Sequence, residues 1–298
     1  MILAAFAALY VLWGSTYAAM HILVRNGFTI FFSAGLRMVT AGAIMWLWLL
    51  ARANTRIARR DLVPLIGSAM LLMIGGNALT MIASQSVPSG LIALLGATTP
   101  FWLAAGSFVL DGERLPASGI AGIVAGFTGV YILSSELAGA VSAWGIALSL
   151  LASFFWSLGG LWGRRLKHLQ ASAISTYQML FGGIMLLAIG TARGEPAQLA
   201  PTAAGWEALA FLIICGSLLG FNAFTFLMSR VPAAKVATYA YVNPMIAVAL
   251  GWLLFDETIT MRTVLGAGVI LGGVVLVNAA KVKRVSEVEL DAGEKRVV

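Results

Sequence analysis

An all-α integral membrane protein is the fold class the sequence predicts, with ten transmembrane helices as two inverted five-helix repeats around a central cavity. Three observations lead there. Apolar residues make up 60% of the chain and charged residues 10%, with a mean hydropathy of +0.93, whereas a soluble domain carries about 25% charged residues. Ten apolar runs approach the length of about 20 residues that crosses ~30 Å of hydrocarbon. The chain also repeats itself. Val87-Pro88 recurs as Val231-Pro232, Ala93 as Ala237, Pro100 as Pro244, Glu113 as Glu257, Gly122 as Gly266 and Gly129-Val130 as Gly273-Val274, each 144 residues apart. Upstream, Asn77-Ala78 matches Asn222-Ala223, and Trp13-Gly14-Ser15 matches Trp156-Ser157.

The spans follow in order. Span one (2–23) lacks a charged leader region and carries a tryptophan with a partner deep in the chain, so it is expected to be retained, not cleaved. Span two (29–51) starts after the Asn26-Gly27 turn and holds Arg37, the one clear cation within a span. Span three (63–85) follows Asp61, and span four (88–110) opens at Pro88 and contains Pro100. Span five (116–134) opens at Pro116 and steps through Gly122, Gly126 and Gly129. Span six (142–163) repeats span one at Trp156, and span seven (171–192) has Gln178 where span two has Arg37. Span eight (206–228) follows Pro196 and Pro201 and contains the sole cysteine, Cys215, which excludes an intrachain disulfide. Span nine (233–255) contains Pro244, and span ten (261–281) steps through Gly266, Gly268, Gly272 and Gly273. Runs of this length are helices, because barrel strands alternate in pieces of about 10 residues.

Five spans per unit is an odd number, so the second unit enters the membrane from the opposite side. The repeats are thus 1–138 and 139–281, joined near Gly139, and residues 282–298 form a solvated, disordered cytoplasmic tail. With the N-terminus inside, inner connections hold thirteen cations, from Arg52 and Arg56 to Lys283 and Arg284. Outer connections hold three, Arg25, Arg193 and Arg262. Positive-inside bias therefore puts both termini in the cytoplasm. It also accounts for the net charge of +7, and no basic cluster interleaved with aromatics points to nucleic acid.

Inverted repeats place two similar, oppositely facing gates around a midplane site. Pro100 and Pro244 read as mid-helix kinks or hinges that leave the carbonyls of Gly96 and Ala240 without their usual donors. A static packing bend is the alternative, and the symmetric placement favours hinges. For Glu113 and Glu257, at the two mouths, capping of free amides outweighs substrate chemistry, with gate closure the other reading. Arg37 is read either as a receptor for a substrate carboxylate or as a tie between helix carbonyls. Polar and aromatic residues at helical spacing mark a cavity wall. They are Trp13, Thr16, Tyr17 and Met20 on span one; Met73, Asn77, Thr80 and Ser84 on three; Thr98, Thr99 and Trp102 on four; Trp156 on six; Cys215, Asn222 and Thr225 on eight; and Tyr239 and Asn243 on nine. Tyr239 is preferred to Tyr241, which points away from Asn243. For any one of these residues, interhelical hydrogen bonding is the competing reading. Trp46, Trp48 and Trp206 read as lipid-facing anchors. His21 and His168 fall near span ends, and no metal spacing or cofactor motif is present.

Trp13-Gly14-Ser15-Thr16-Tyr17, Leu36-Arg37, Pro100 followed by Gly112-Glu113, Pro244 followed by Asp256-Glu257, and the glycine-stepped spans five and ten carry a family resemblance over residues 1–281. The chain resembles the ten-helix EamA type of the drug/metabolite transporter superfamily. That resemblance implies a secondary transporter in a bacterial-type inner membrane that exports amino acids or similar zwitterions, leaning to the aromatic amino-acid exporters. The expected partners are a small-molecule substrate and lipid. A monomer suffices, and the oligomeric state is left open. A proton-coupled exporter of organic cations is the alternative. It ranks second because the spans hold no Asp or Glu away from their ends, and transport is expected to be largely insensitive to a pH gradient. An intramembrane enzyme is disfavoured because no His, Asp or Glu lies deep enough to activate a hydroxyl. A passive channel is disfavoured because the polar stripes are sparse and aromatic-rich.

Overall fold

A computed structural model describes residues 1–52, 57–111, 116–136, 142–166, 168–231, 236 and 238–294. Among these residues the regular structure is helical throughout. Helix α1 (Ile2–Arg25) turns at Asn26-Gly27 into α2 (Ile30–Arg52). Gly27 takes φ +83°, and any Cβ there would lie 1.9 Å from the carbonyl oxygen of Ala200. The amides of Ala200 and Thr202 donate back to Gly27 O and Asn26 O at 3.0 and 3.1 Å, so the two loops are pinned together.

The third run begins as α3 (Arg59–Ala69), widens into a π-helical stretch over Met70–Ala78 and ends as α4 (Leu79–Ala83). The fourth is broken at Ala97-Thr98 into α5 (Ser89–Gly96) and α6 (Thr99–Asp111). Then come α7 (Ala117–Glu136), α8 (Ala143–Gly163) and α9 (Ala171–Ala192). The eighth run repeats the third, with α10 (Ala203–Phe211), a π-helical stretch over Leu212–Phe221 and α11 (Asn222–Arg230). Helices α12 (Tyr239–Phe255) and α13 (Met261–Glu294) complete the described chain.

Seven of these continuous runs are long and apolar enough to cross a membrane, and Ala117–Ile132, Val242–Phe255 and Met261–Val277 are shorter apolar helices. Large apolar side chains cover the outside, Val109 (77% exposed) and Trp144 (70%) among them. A soluble protein does not tolerate such a belt, whereas lipid solvates it. The protein is therefore a multi-pass helical membrane protein. Trp46, Trp48 and Trp206 sit on this outer surface, and Trp206 stacks edge-on against Phe28. One difference from expectation lies at the end, where helix continues to Glu294 through part of the segment read as a disordered tail.

Two cores form. One gathers Leu23, Met38, Met73, Met179, Leu212 and Phe221, and the other Leu95, Phe101, Leu148, Ile270 and Val274. Helix α2 packs on α9 and α7 on α13, while α1 packs on α12 and the second π stretch, and α8 on α6 and the first π stretch. Gly122 and Gly273 let α7 and α13 touch backbone to backbone. A Cβ on either would lie 2.5–2.7 Å from the other's carbonyl oxygen. Not every glycine expected at this interface belongs to it: Gly126 faces the Phe101 ring, and Gly268 and Gly272 face open space. Gly273→Leu should therefore destabilise the protein by about 1–3 kcal/mol or more through overpacking, while Gly272→Leu is tolerated. Thermal unfolding of both variants in detergent measures the difference.

Candidate functional site

Between the two cores lies a cavity of about 110 Å³. Helices α1, α2, α4, α5, α6, α8, α9 and α12 and both π stretches contribute to its wall, and α7 and α13 do not. Its position follows from the backbone. The π stretches and the broken fourth run are where regular hydrogen bonding fails, and in hydrocarbon each freed carbonyl must find another donor.

At the break in the fourth run, Leu95 O accepts from Thr98 Oγ1 (2.6 Å) and Ser153 Oγ (3.2 Å). Gly96 O accepts from Thr99 Oγ1 (2.8 Å), and Thr99 O from Ser157 Oγ (2.9 Å). The α8 serines, four residues apart, thus reach across to the break while also bonding within their own helix. Pro100 is in the first turn of α6, where its missing N–H costs nothing in the helix. This corrects the expected mid-helix kink, since the chain has already broken two residues earlier. Pro244 does lie inside α12. Beside it Asn243, with its amide nitrogen turned toward them, donates to Tyr239 O (3.2 Å) and Tyr10 O (3.1 Å).

The second π stretch is satisfied by an aromatic ring. Trp13 Nε1 donates to Gly216 O at 3.0 Å, and the indole lies over Gly220, where a Cβ would come within 2.5 Å of it. Trp156 lies on Gly76 of the first π stretch in the same manner. The two indoles meet edge to face at 6.0 Å, and Tyr239 stands edge-on to Trp13 at 5.5 Å. This gives the cavity an aromatic wall. Next to Gly216, Arg37, 5% exposed, donates from Nε to Ser217 Oγ at 3.0 Å and from Nη1 to Asn77 Oδ1 at 3.5 Å.

Twelve expected residues line this space: Trp13, Thr16, Tyr17, Met20, Arg37, Met73, Asn77, Thr80, Thr99, Trp156, Tyr239 and Asn243. Ser84, Thr98 and Cys215 do not, nor do three others. Trp102 packs between Phe127 and Phe154, because the break turns α6 away from the line of α5. Asn222 donates to Leu218 O (2.7 Å) and accepts from Ser175 Oγ (3.4 Å), and Thr225 donates to Asn222 O (3.1 Å). The reason is the i→i+5 winding of Leu212–Phe221, which brings Gly216, Ser217 and Phe221 to the cavity in place of the face chosen at α-helical spacing. Met38, Met179, Ser149 and Ser153 also line the cavity and were not anticipated. The serine spacing on α8 was visible in the sequence; the methionines carried no signal beyond their suitability for irregular space.

Glu257 caps a helix, though not the one that follows it. Asp256 takes the left-handed conformation (φ +53°) at the end of α12 and turns the chain back. Glu257 Oε1 then accepts from the amide and hydroxyl of Ser89 (2.8 and 2.9 Å), and Oε2 from the amide of Gly90 (3.1 Å). A carboxylate thus holds the N-terminus of α5 from 168 residues away. Glu113 lies outside the described residues.

The model of the EamA-like transporter family matches residues 1–135 and again 143–279. The uncharacterised inner membrane transporter YedA of Escherichia coli strain K12 is 34% identical over 280 residues, covering 92% of this chain and 89% of that protein. The S-adenosylmethionine/S-adenosylhomocysteine transporter of Chlamydia trachomatis serovar D is 26% identical over 264 residues, covering 83% and 80%. A solved crystal structure shares the fold at a TM-score of 0.69 and 19% identity, with 92% and 94% covered.

The carboxylate clamp can be weighed directly. Glu257→Ala removes the acceptor of three hydrogen bonds and should lower stability by about 2–3 kcal/mol. Glu257→Gln, which still accepts at one oxygen, should lose less. Thermal unfolding in detergent checks the order.

Proposed function

The chain belongs to the EamA-like transporter family, and we propose that it is a secondary transporter exporting amino acids or related small metabolites by alternating access. In this reading ten spans form two inverted five-helix repeats, 1–138 and 139–281. The membrane is a bacterial-type inner membrane, and both termini are cytoplasmic. The observation that carries the reading is the cavity between the two cores, walled by aromatic rings and hydroxyls, with Arg37 as its one charged residue among those described.

Further features support it. One family model matches the chain twice. The packing is exchanged between halves as an inverted repeat requires: α1 meets α12 and the second π stretch, while α8 meets α6 and the first. The ten polar and aromatic residues among the expected lining serve as candidate substrate contacts. Pro100, Pro244, Glu113 and Glu257 serve as candidate gate elements, and the Glu257 clamp on α5 suits a gate that must close and release. The chlamydial relative carries S-adenosylmethionine and S-adenosylhomocysteine. Both compounds end in an amino-acid group, which supports the substrate class. The aromatic wall supports the lean toward aromatic amino acids. The organic-cation reading finds no acid in the lining.

Counterflow in liposomes containing the purified chain tests the substrate class: labelled amino acid should accumulate, saturably and without an imposed pH gradient. Failure with every amino acid would contradict it. The hinges have their own test. Pro244→Ala restores the donor to Ala240 O and should straighten α12. Pro100→Ala adds a competing donor at Gly96 O, now held by the Thr99 hydroxyl. Both variants should insert normally, since span length is unchanged, and transport should fall far more than expression. Cysteine labelling of the cavity should become biased to opposite sides in the two variants; equal bias, or wild-type transport in both, would reduce the breaks to packing features.

A further inference from the structure

We infer that Arg37 is the anion receptor of this cavity, and that the solute recognised is an apolar, ring-bearing carboxylate whose amino group is dispensable. The inference rests on the transport reading and narrows it. Arg37 is buried to 5% exposure, yet among the described residues it has no acidic partner, and every other side chain lining the cavity is neutral. Its protein contacts are neutral oxygens, Ser217 Oγ on Nε and Asn77 Oδ1, at the long distance of 3.5 Å, on Nη1. Among the described residues Nη2 makes no hydrogen bond. A guanidinium has five donors in a planar fork suited to a carboxylate. A cation that is desolvated without a counter-charge leaves its strongest interaction to be made by whatever enters.

Gly216 joins this charge to the aromatic wall. A Cβ there would stand 2.7 Å from Arg37 Nη2, so the absence of a side chain keeps the free end of the fork open. The carbonyl of the same residue receives the Trp13 indole. A carboxylate on Nη2 therefore places the rest of its molecule beside Trp13, Trp156 and Tyr239. The space, about 110 Å³, is room for a small organic solute and not for a single water alone. An ammonium group finds no opposite charge here. The nearby hydroxyls of Thr99 and Ser153, which already donate to carbonyls, can accept from it only as neutral oxygens. A zwitterion is tolerated, and a simple amine is repelled by Arg37.

Three probes that share one ring separate these cases: phenylacetate, phenylalanine and phenethylamine, titrated against the purified full chain by tryptophan fluorescence. Phenylacetate and phenylalanine should both bind, with phenethylamine weaker by on the order of tenfold or more. Arg37→Gln should weaken phenylacetate on the order of tenfold to a hundredfold and leave phenethylamine unchanged or improved. Arg37→Lys should keep the preference for the anion. Size-exclusion profiles establish that each variant is folded; if Arg37→Gln is not, Arg37→Lys and the probe order in the parent chain decide. Equal or tighter binding of phenethylamine overturns the inference, as does binding of phenylalanine alone or of none of the three. Phenylalanine counterflow that persists without phenylacetate binding would overturn only this inference. Phenylacetate binding without counterflow of any amino acid would instead contradict the transport reading.

Discussion

The structure depends on one constraint: backbone carbonyls freed inside an apolar bundle must still be hydrogen-bonded. Leaving one buried and unpaired costs about 1–3 kcal/mol, and lipid offers no water to relieve it. This chain disturbs the regular pattern at Ala97-Thr98, beside Pro244 and in two π-helical stretches. Side-chain donors from the far half of the sequence reach backbone carbonyls around these places. Ser153 and Ser157 donate to Leu95 O and Thr99 O, Trp13 to Gly216 O, and Asn243 to Tyr10 O. Each half therefore completes the other's backbone, and the cavity lies where those repairs meet.

That arrangement bears on function through coupling. A side chain that satisfies a carbonyl across the seam holds two helices in one relative position, so movement of one half must exchange these bonds. The Glu257 clamp on Ser89 and Gly90 follows the same logic at a helix terminus, with a charge in place of a hydroxyl. Small residues make the contacts short. Gly251 and Gly90 crowd the Glu257 carboxylate so closely that a Cβ at Gly251 would lie 2.3 Å from it. Arg37 is the exception within this scheme, a buried charge whose protein partners are all neutral.

Much of this was legible in the sequence. Hydropathy marked the apolar runs, proline and glycine marked their ends, and twelve of the expected wall residues do face the cavity. The misses share a physical cause. Whether a helix winds i→i+4 or i→i+5 is decided by tertiary donors such as the Trp13 indole, about 200 residues from the carbonyl it serves, and composition does not record that. Asn222 and Thr225 were thus assigned to the cavity at α-helical spacing, while Ser217 holds the position. Trp102 was misplaced because the break in the fourth run lies at Ala97-Thr98, ahead of the proline that appeared to cause it. Glu257 was identifiable as a cap, but its target, α5, required the fold.

The most direct measurement asks whether the seam cavity is where solute sits. Ala152, on the wall from α8, is 3% exposed and makes no repair of its own. In a Cys215→Ser background, Ala152→Cys supplies a single thiol there. Labelling by a small water-soluble thiol reagent in membranes should be slowed by a transported solute, in proportion to its occupancy. A labelling rate identical with and without a solute that the same protein transports would contradict the account.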